Sequence, residues 1–534
     1  KTINMPAVVT DQFRITNAGN FVDSVLNSNN SYYVFLGLPN PKGVGFGRTD
    51  NWDTSTPDPV DNLEYLTHYR DTSLFGKKIN SSNIRRVVKK HTWIANERYD
   101  MYRHDYSVNN LSPNSQSASL YKSNYYVITS EFKVYICIDN GGSGAPGSTD
   151  AKGKQTQIEP SFTDLQPASP GVGDPYTWKY LFTVSPSDVI KFDSTEYIIL
   201  PNDWSTTTDS QIQAVRESGD SDVNKNQIKK VFIKDKGLGY TDRSEPYSCD
   251  ILGDGEGAKC QVTVVGNEIT DIIVTAGGSG YTFGVVDLNP INFAGDATSR
   301  RANLIPIIPP SKGHGSDIYT ELGADKVLVY SRFDDSTKDF PVDTHFAQVG
   351  IIKNPTQFNT SNLYTESQFS SLFAIKLTPS FANEVDDTDD LIGVSIAQTA
   401  TGTSASAEGI VASYDKDTFV LKYIQDRSLY LNPVTGDNED YSGVNLNANV
   451  LPFTSDTSVV FSGSFSGNGS IDNNFTGIST TIGGKNINLG VNFTNGLANP
   501  EINKKTGDII YIDNRKEVER DIRQKEDVKI ILEF

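Results

Sequence analysis

Methionine is nearly absent from this chain, at 2 of 534 residues, and cysteine and histidine are scarce, at 3 and 5. The thiols Cys137, Cys249 and Cys260 are too few and too scattered for a disulfide framework. Cys249 and Cys260 are near enough in sequence to pair, but reduced thiols of a cytoplasmic product are the expectation. The histidines (His68, His91, His104, His314 and His345) form no HExxH or other spacing that sets two imidazoles on one helical face. No Ser or Cys sits in a nucleophile-elbow context, and no GxxxxGK[ST] phosphate loop exists. "GVGFGRTD" (residues 43–50) spaces its glycines as G-x-G-x-G, unlike a dinucleotide fingerprint, and reads as a turn. No window approaches 18 continuous apolar residues, so no membrane span is expected. The opening "KTINMPAVVTDQF" lacks the apolar stretch of a secretory signal. Basic charge is short as well: 47 Lys and Arg against 66 Asp and Glu, a net charge of −19. That argues against a nucleic-acid binder, because phosphate contacts need a basic surface.

What the chain has is length and aromatic rings. Its 534 residues exceed one core and imply about three or four domains at roughly 150 residues each. With 25 Tyr and 26 Phe, the composition leans towards sheet-rich cores. The expected class is mainly β (α+β) and multidomain, with β-sandwich or barrel-like domains and a smaller α/β portion.

Along the chain, Phe21, Val22, Val25 and Leu26 recur at helical spacing, and "SYYVFLGL" (residues 31–38) reads as a buried strand. A helix is expected across residues 61–74, with Asp61 as its N-cap and Leu63, Leu66 and Leu74 on one side. Residues 124–140 alternate like a hairpin or two strands. "VFIKDKGLGYT" (231–241) recurs as "IIVTAGGSGYT" (272–282), a 41-residue period, with two strands around a Gly-Asn turn between them. Residues 370–498 are rich in Ser, Thr, Asn and Gly, with closely spaced turn signals, and read as an all-β module. The resulting division is a core of 1–224, 301–369 and 499–534, interrupted by an inserted β-repeat module at 225–300 and an inserted all-β module at 370–498. Ile509, Tyr511 and "VKIILEF" alternate like closing strands of the core.

Three stretches are candidates for chemistry or binding. "EVDDTDD" (384–390) holds five carboxylates in seven residues but lacks the EF-hand spacing and central glycine, so a solvated loop is expected. "RRVVKKHTW" (85–93) is the one basic patch; Arg85, Arg86, Lys89 and Lys90, with Arg98 nearby, are candidate contacts for a protein partner. "DPYTWKYLF" (174–182) is dense in aromatics, and strand alternation sets Tyr176, Trp178 and Tyr180 on one face. Trp178 and Tyr180 are expected as core anchors in preference to an exposed sugar platform. No catalytic, cofactor-binding or metal-ligating residues emerge, and no enzyme activity is expected.

Six segments together carry a likeness: "VVTDQFR" near the start, "GFGRTDNW" (45–52), "DPYTWKYLF", "EYIILPNDW" (196–204), "FAQVGIIKNP" (346–355) and the terminal "TGDIIYIDNRKEVERDIRQKEDVKIILEF". In this order they resemble the baseplate wedge protein of T-even-like contractile-tailed bacteriophages, the product of gene eight. The likeness covers about half the chain, and the 225–300 and 370–498 modules have no evident counterpart in it. It implies a structural subunit of the virion tail baseplate, assembled in the host cytoplasm. It further implies a homodimer of mainly β domains packed against other wedge subunits, without nucleic acid, membrane or cofactor. A glycan-binding or glycan-cleaving tail protein, meeting the host through the inserted modules, is the alternative.

Overall fold

The computed structural model describes residues 8–39, 49–218, 227–334, 345–399, 406–425, 452–520 and 524–534. The glycines of residues 43–47 lie outside them. The fold is mainly β, with several sheets and few helices, as the composition predicted. Among the described residues no helix is long and apolar enough to cross a membrane. The chain divides into two compact units, one of Lys1–Val22, Ile84–Leu328 and Ile531–Phe534, the other of Asp23–Asn83 and Val329–Ile530.

In the first unit the strands Tyr126–Ile128, Lys133–Asp139 and Thr177–Thr183 form an antiparallel sheet in that order. The first two are the pair expected within 124–140. All five residues from Trp178 to Phe182 are buried, so both faces of this strand are covered. The alternation expected for "DPYTWKYLF" therefore leaves no water-facing side: Lys179, on the intervening register, is itself buried. Its Nζ donates to the Leu165 carbonyl and to Ser218 Oγ at 2.9 Å. Asp174 pins the start of the segment. One carboxylate oxygen accepts from Gln157 N (2.6 Å), Ile158 N (2.8 Å) and Thr156 Oγ1 (3.1 Å), and the other from Tyr176 N at 2.9 Å.

A second sheet of this unit orders its strands Glu268–Ser279, Glu256–Val265, Tyr247–Gly253 and Gly284–Val286. Its two longest strands meet at Gly266 and Asn267, both in the left-handed region (φ +66° and +64°), as the Gly-Asn hairpin requires. The 41-residue repeat has a local cause. Gly237 (φ +70°) and Gly278 (φ +62°) begin the two Gly-x-Gly-Tyr-Thr copies, and in each the tyrosine ring folds over the first glycine. A Cβ there would come within 2.7 Å of the Tyr240 or Tyr281 ring. Each tyrosine hydroxyl then accepts a backbone N–H, Ala302 N at 2.9 Å and Ala258 N at 3.2 Å. Residues 228–308 contribute one continuous hydrophobic cluster, including Cys249, Cys260, Val262 and Ile269.

In the second unit, a five-stranded sheet runs Gln368–Ser370, Ser73–Lys78, Tyr32–Gly37, His345–Lys353 and Asp508–Glu519. Tyr32–Gly37 is paired along both edges and buried at every position, so side chains on both of its faces are covered. The helix expected at 61–74 is shorter, Leu63–Asp71. Asn62 caps it by accepting from Tyr65 N at 2.8 Å, displacing Asp61 from that role, and Leu74 belongs to the next strand. A seven-stranded antiparallel sheet uses Phe373–Lys376, Ser395–Thr399, Ser406–Asp415, Val420–Gln425, Val459–Ser462, Gly467–Gly469 and Leu497–Ala498. Its core includes Phe381, Val411, Leu421 and Phe461.

Candidate functional site

The basic patch lies on and beyond the strand Ile84–Lys89 of the first unit, and most of its charge is already engaged. The Arg85 guanidinium donates twice to Asp188 Oδ1, at 3.0 and 2.7 Å, and lies over the Phe192 ring. Arg86 stacks 4.0 Å from the Tyr319 ring centre. Lys90 reaches Asp193 at 3.4 Å and the Ser194 carbonyl at 2.8 Å. Arg98 is exposed, away from the others, and donates to the Gly153 carbonyl at 3.2 Å. Only Lys89 and Lys90 come together at a cavity, one of about 750 Å³. Its wall adds Arg14, Lys122, Glu196 and Glu533, with Tyr121, Tyr126 and Tyr197 as the aromatic part. Beside it, burial and then the charge of Lys89 lower the His91 pKa to about 4, so that ring is neutral at pH 7.

The aromatic strand places no ring on the surface. Trp178 is 0% exposed and Tyr180 2%. Tyr176 stacks on Trp178 with centroids 5.3 Å apart, Tyr99 meets Trp178 edge-on at 5.9 Å, and Tyr135 meets Tyr180 at 5.6 Å.

Two groupings were not foreseen in the sequence. In the first unit, His314 Nδ1 lies 2.5 Å from Glu321 Oε1, both side chains buried, while Glu321 Oε2 accepts from Gly315 N at 2.6 Å. In the second unit, His345, Asp389 and Glu519 bring one ligand atom each within 4.8 Å of one another. His345 and Glu519 are direct partners across adjacent strands, so they share a face. Asp389 arrives from the 3₁₀ turn Asp389–Leu391, inside the acidic run expected to be a solvated loop. His345 Nδ1 lies 3.0 Å from Glu517 Oε1, and its Nε2 is 3.9 Å from Asp389 Oδ1. Sequence spacing gives no sign of this grouping, because His345 has no second imidazole at a metal-ligand spacing and 44 residues separate it from Asp389 and 130 more from Glu519.

No protein-family model matches the chain, and no curated protein matches its sequence.

Proposed function

We propose that the chain is a structural subunit of a contractile-tail baseplate wedge, a homodimer that makes protein–protein contacts during baseplate assembly and host attachment. The observation that supports this reading is the convergence of the distant segments whose motifs resemble the wedge protein. In the second unit, Trp52 of "GFGRTDNW" donates its indole N–H to the Arg515 carbonyl at 2.7 Å, and Asp53 accepts from Glu517 N at 2.9 Å. The strand holding "FAQVGIIKNP" pairs with the terminal Asp508–Glu519 strand. In the first unit, Phe182 of "DPYTWKYLF" meets Trp204 of "EYIILPNDW" edge-on at 6.0 Å. The cavity wall at Lys89 and Lys90 is the surface on which a wedge neighbour is expected.

The glycan-binding alternative draws no support from the tryptophans: Trp52, Trp178 and Trp204 are buried and Trp93 is half-buried. Electron cryo-microscopy of the intact particle tests the proposal. An internal subunit at fixed stoichiometry, seated against other wedge proteins, is expected. Density only at the periphery, facing the host, overturns it.

A further inference from the structure

We propose that His345, Asp389 and Glu519 bind one divalent cation of the zinc class, with Glu517 as the group that orients the histidine. Three features of the second unit combine here. First, the donors face one another. Atoms within 4.8 Å of each other lie at most about 2.8 Å from a shared centre, and small side-chain rotations close that to the roughly 2.0–2.2 Å of zinc–nitrogen and zinc–oxygen bonds.

Second, the imidazole is prepared for ligation. Its Nδ1 lies 3.0 Å from Glu517 Oε1, and because a carboxylate accepts, Nε2 is the ring nitrogen left to ligate a metal. Among the described residues that Nε2 is buried without a hydrogen-bond partner and lies 3.9 Å from Asp389 Oδ1. A carboxylate behind a histidine whose other nitrogen points at further carboxylates is the arrangement of histidine-ligated metal sites.

Third, the donor set suits a dication: two carboxylates, Asp389 and Glu519, and one imidazole together offset its charge. The imidazole donor selects a zinc-like ion over calcium or magnesium, which take oxygen ligands. Bound there, the ion clips the Asp389 turn to the paired strands His345–Lys353 and Asp508–Glu519.

The test uses the full chain stripped with a chelator. Isothermal titration with Zn²⁺ is expected to show one site per chain, with Ca²⁺ and Mg²⁺ giving none of comparable affinity. Co²⁺ substitution is expected to give visible bands without the intense thiolate charge-transfer band, which sets the site apart from the buried cysteines. D389N and H345Q should each weaken Zn²⁺ binding at least tenfold, and E517Q by about 10–100-fold with the stoichiometry unchanged. D389N alters a residue on a surface turn, so it carries the test if H345Q does not fold. Absence of stoichiometric Zn²⁺ binding, or unchanged affinity in D389N, overturns the proposal.

Discussion

Two sheets of the same unit bury their side chains by opposite rules. In the Glu256–Val265 strand of the repeat sheet, burial alternates almost residue by residue, so one face packs and the other meets water. In Thr177–Thr183 every residue from Trp178 to Phe182 is buried, Lys179 included. The first sheet is a surface layer over one cluster; the second is covered on both sides. A sheet covered on one face can show exposed Ile273 and Val285 without penalty, whereas one covered on both must satisfy any polar group it buries. The comparison is one of tolerance, and substitutions can break it.

The largest effect is expected at Trp178. Trp178→Ala should cost about 3–5 kcal/mol in urea unfolding, because the site is closed on all sides by Tyr99, Tyr176 and the neighbouring strand. A loss below about 1 kcal/mol, with indole fluorescence of the parent readily quenched by acrylamide, would show the face to be open. Next comes Asp174→Ala, expected to cost about 2–3 kcal/mol since it strands three backbone N–H groups at the entry to the same strand. Proteolysis near residues 156–158 should quicken in that variant; unchanged cleavage there would remove Asp174 from the role of pin.

In the repeat sheet a matched pair makes the contrast within one strand. Ile269→Ala, on the packed face at 0% exposure, should cost about 2 kcal/mol or more. Ile273→Thr, 55% exposed on the other face, should stay within about 0.5 kcal/mol. Equal costs for the two would mean that a partner covers the outer face of this sheet in solution.

The same contrast decides what was legible in the sequence. The repeat sheet announced itself because period-two burial, a Gly-Asn turn and a Gly-x-Gly-Tyr-Thr duplication are all local signals. Tyr32–Gly37 was legible too, since an unbroken apolar run bounded by polar residues fits a central strand. Burial on both faces of Thr177–Thr183 was not, because Lys179 looks like a surface residue until Leu165 and Ser218 are brought to its ammonium. The limits of the Leu63–Asp71 helix were missed by a few residues at each end, where Asp61 and Asn62 compete for the cap. His345, Asp389 and Glu519 were invisible for a different reason: each is unremarkable in its own stretch, and the strand register and a 3₁₀ turn bring them together.

Titration gives the finest form of the comparison, because the two sheets are linked to pH with opposite sign. Burial, with Lys229 nearby, lowers the Lys179 pKa from 10.5 to about 8. The unfolded chain then binds more protons than the folded one between about pH 8 and 10.5. Its contribution to stability is therefore full above 10.5 and is lost as pH falls towards 8. In the repeat sheet, burial raises Cys249 from 9.0 to about 11, with Asp287 and Asp250 adding to it, and Cys260 to about 12, with Cys249 and then Asp250 adding to it. Here the folded chain holds the proton longer, so the contribution is full below pH 9 and is lost as pH rises through 11 to 12. Between pH 8 and 9 the folded lysine titrates while the folded thiols keep their protons. Urea midpoints should rise slightly across that interval in the parent and rise less in Lys179→Met. At pH 8.5 iodoacetamide should label Cys249 and Cys260 in urea but hardly in the folded chain, because the protonated thiol is a poor nucleophile. Rapid labelling of the folded chain would place those thiols outside the cluster and make the repeat sheet the looser of the two.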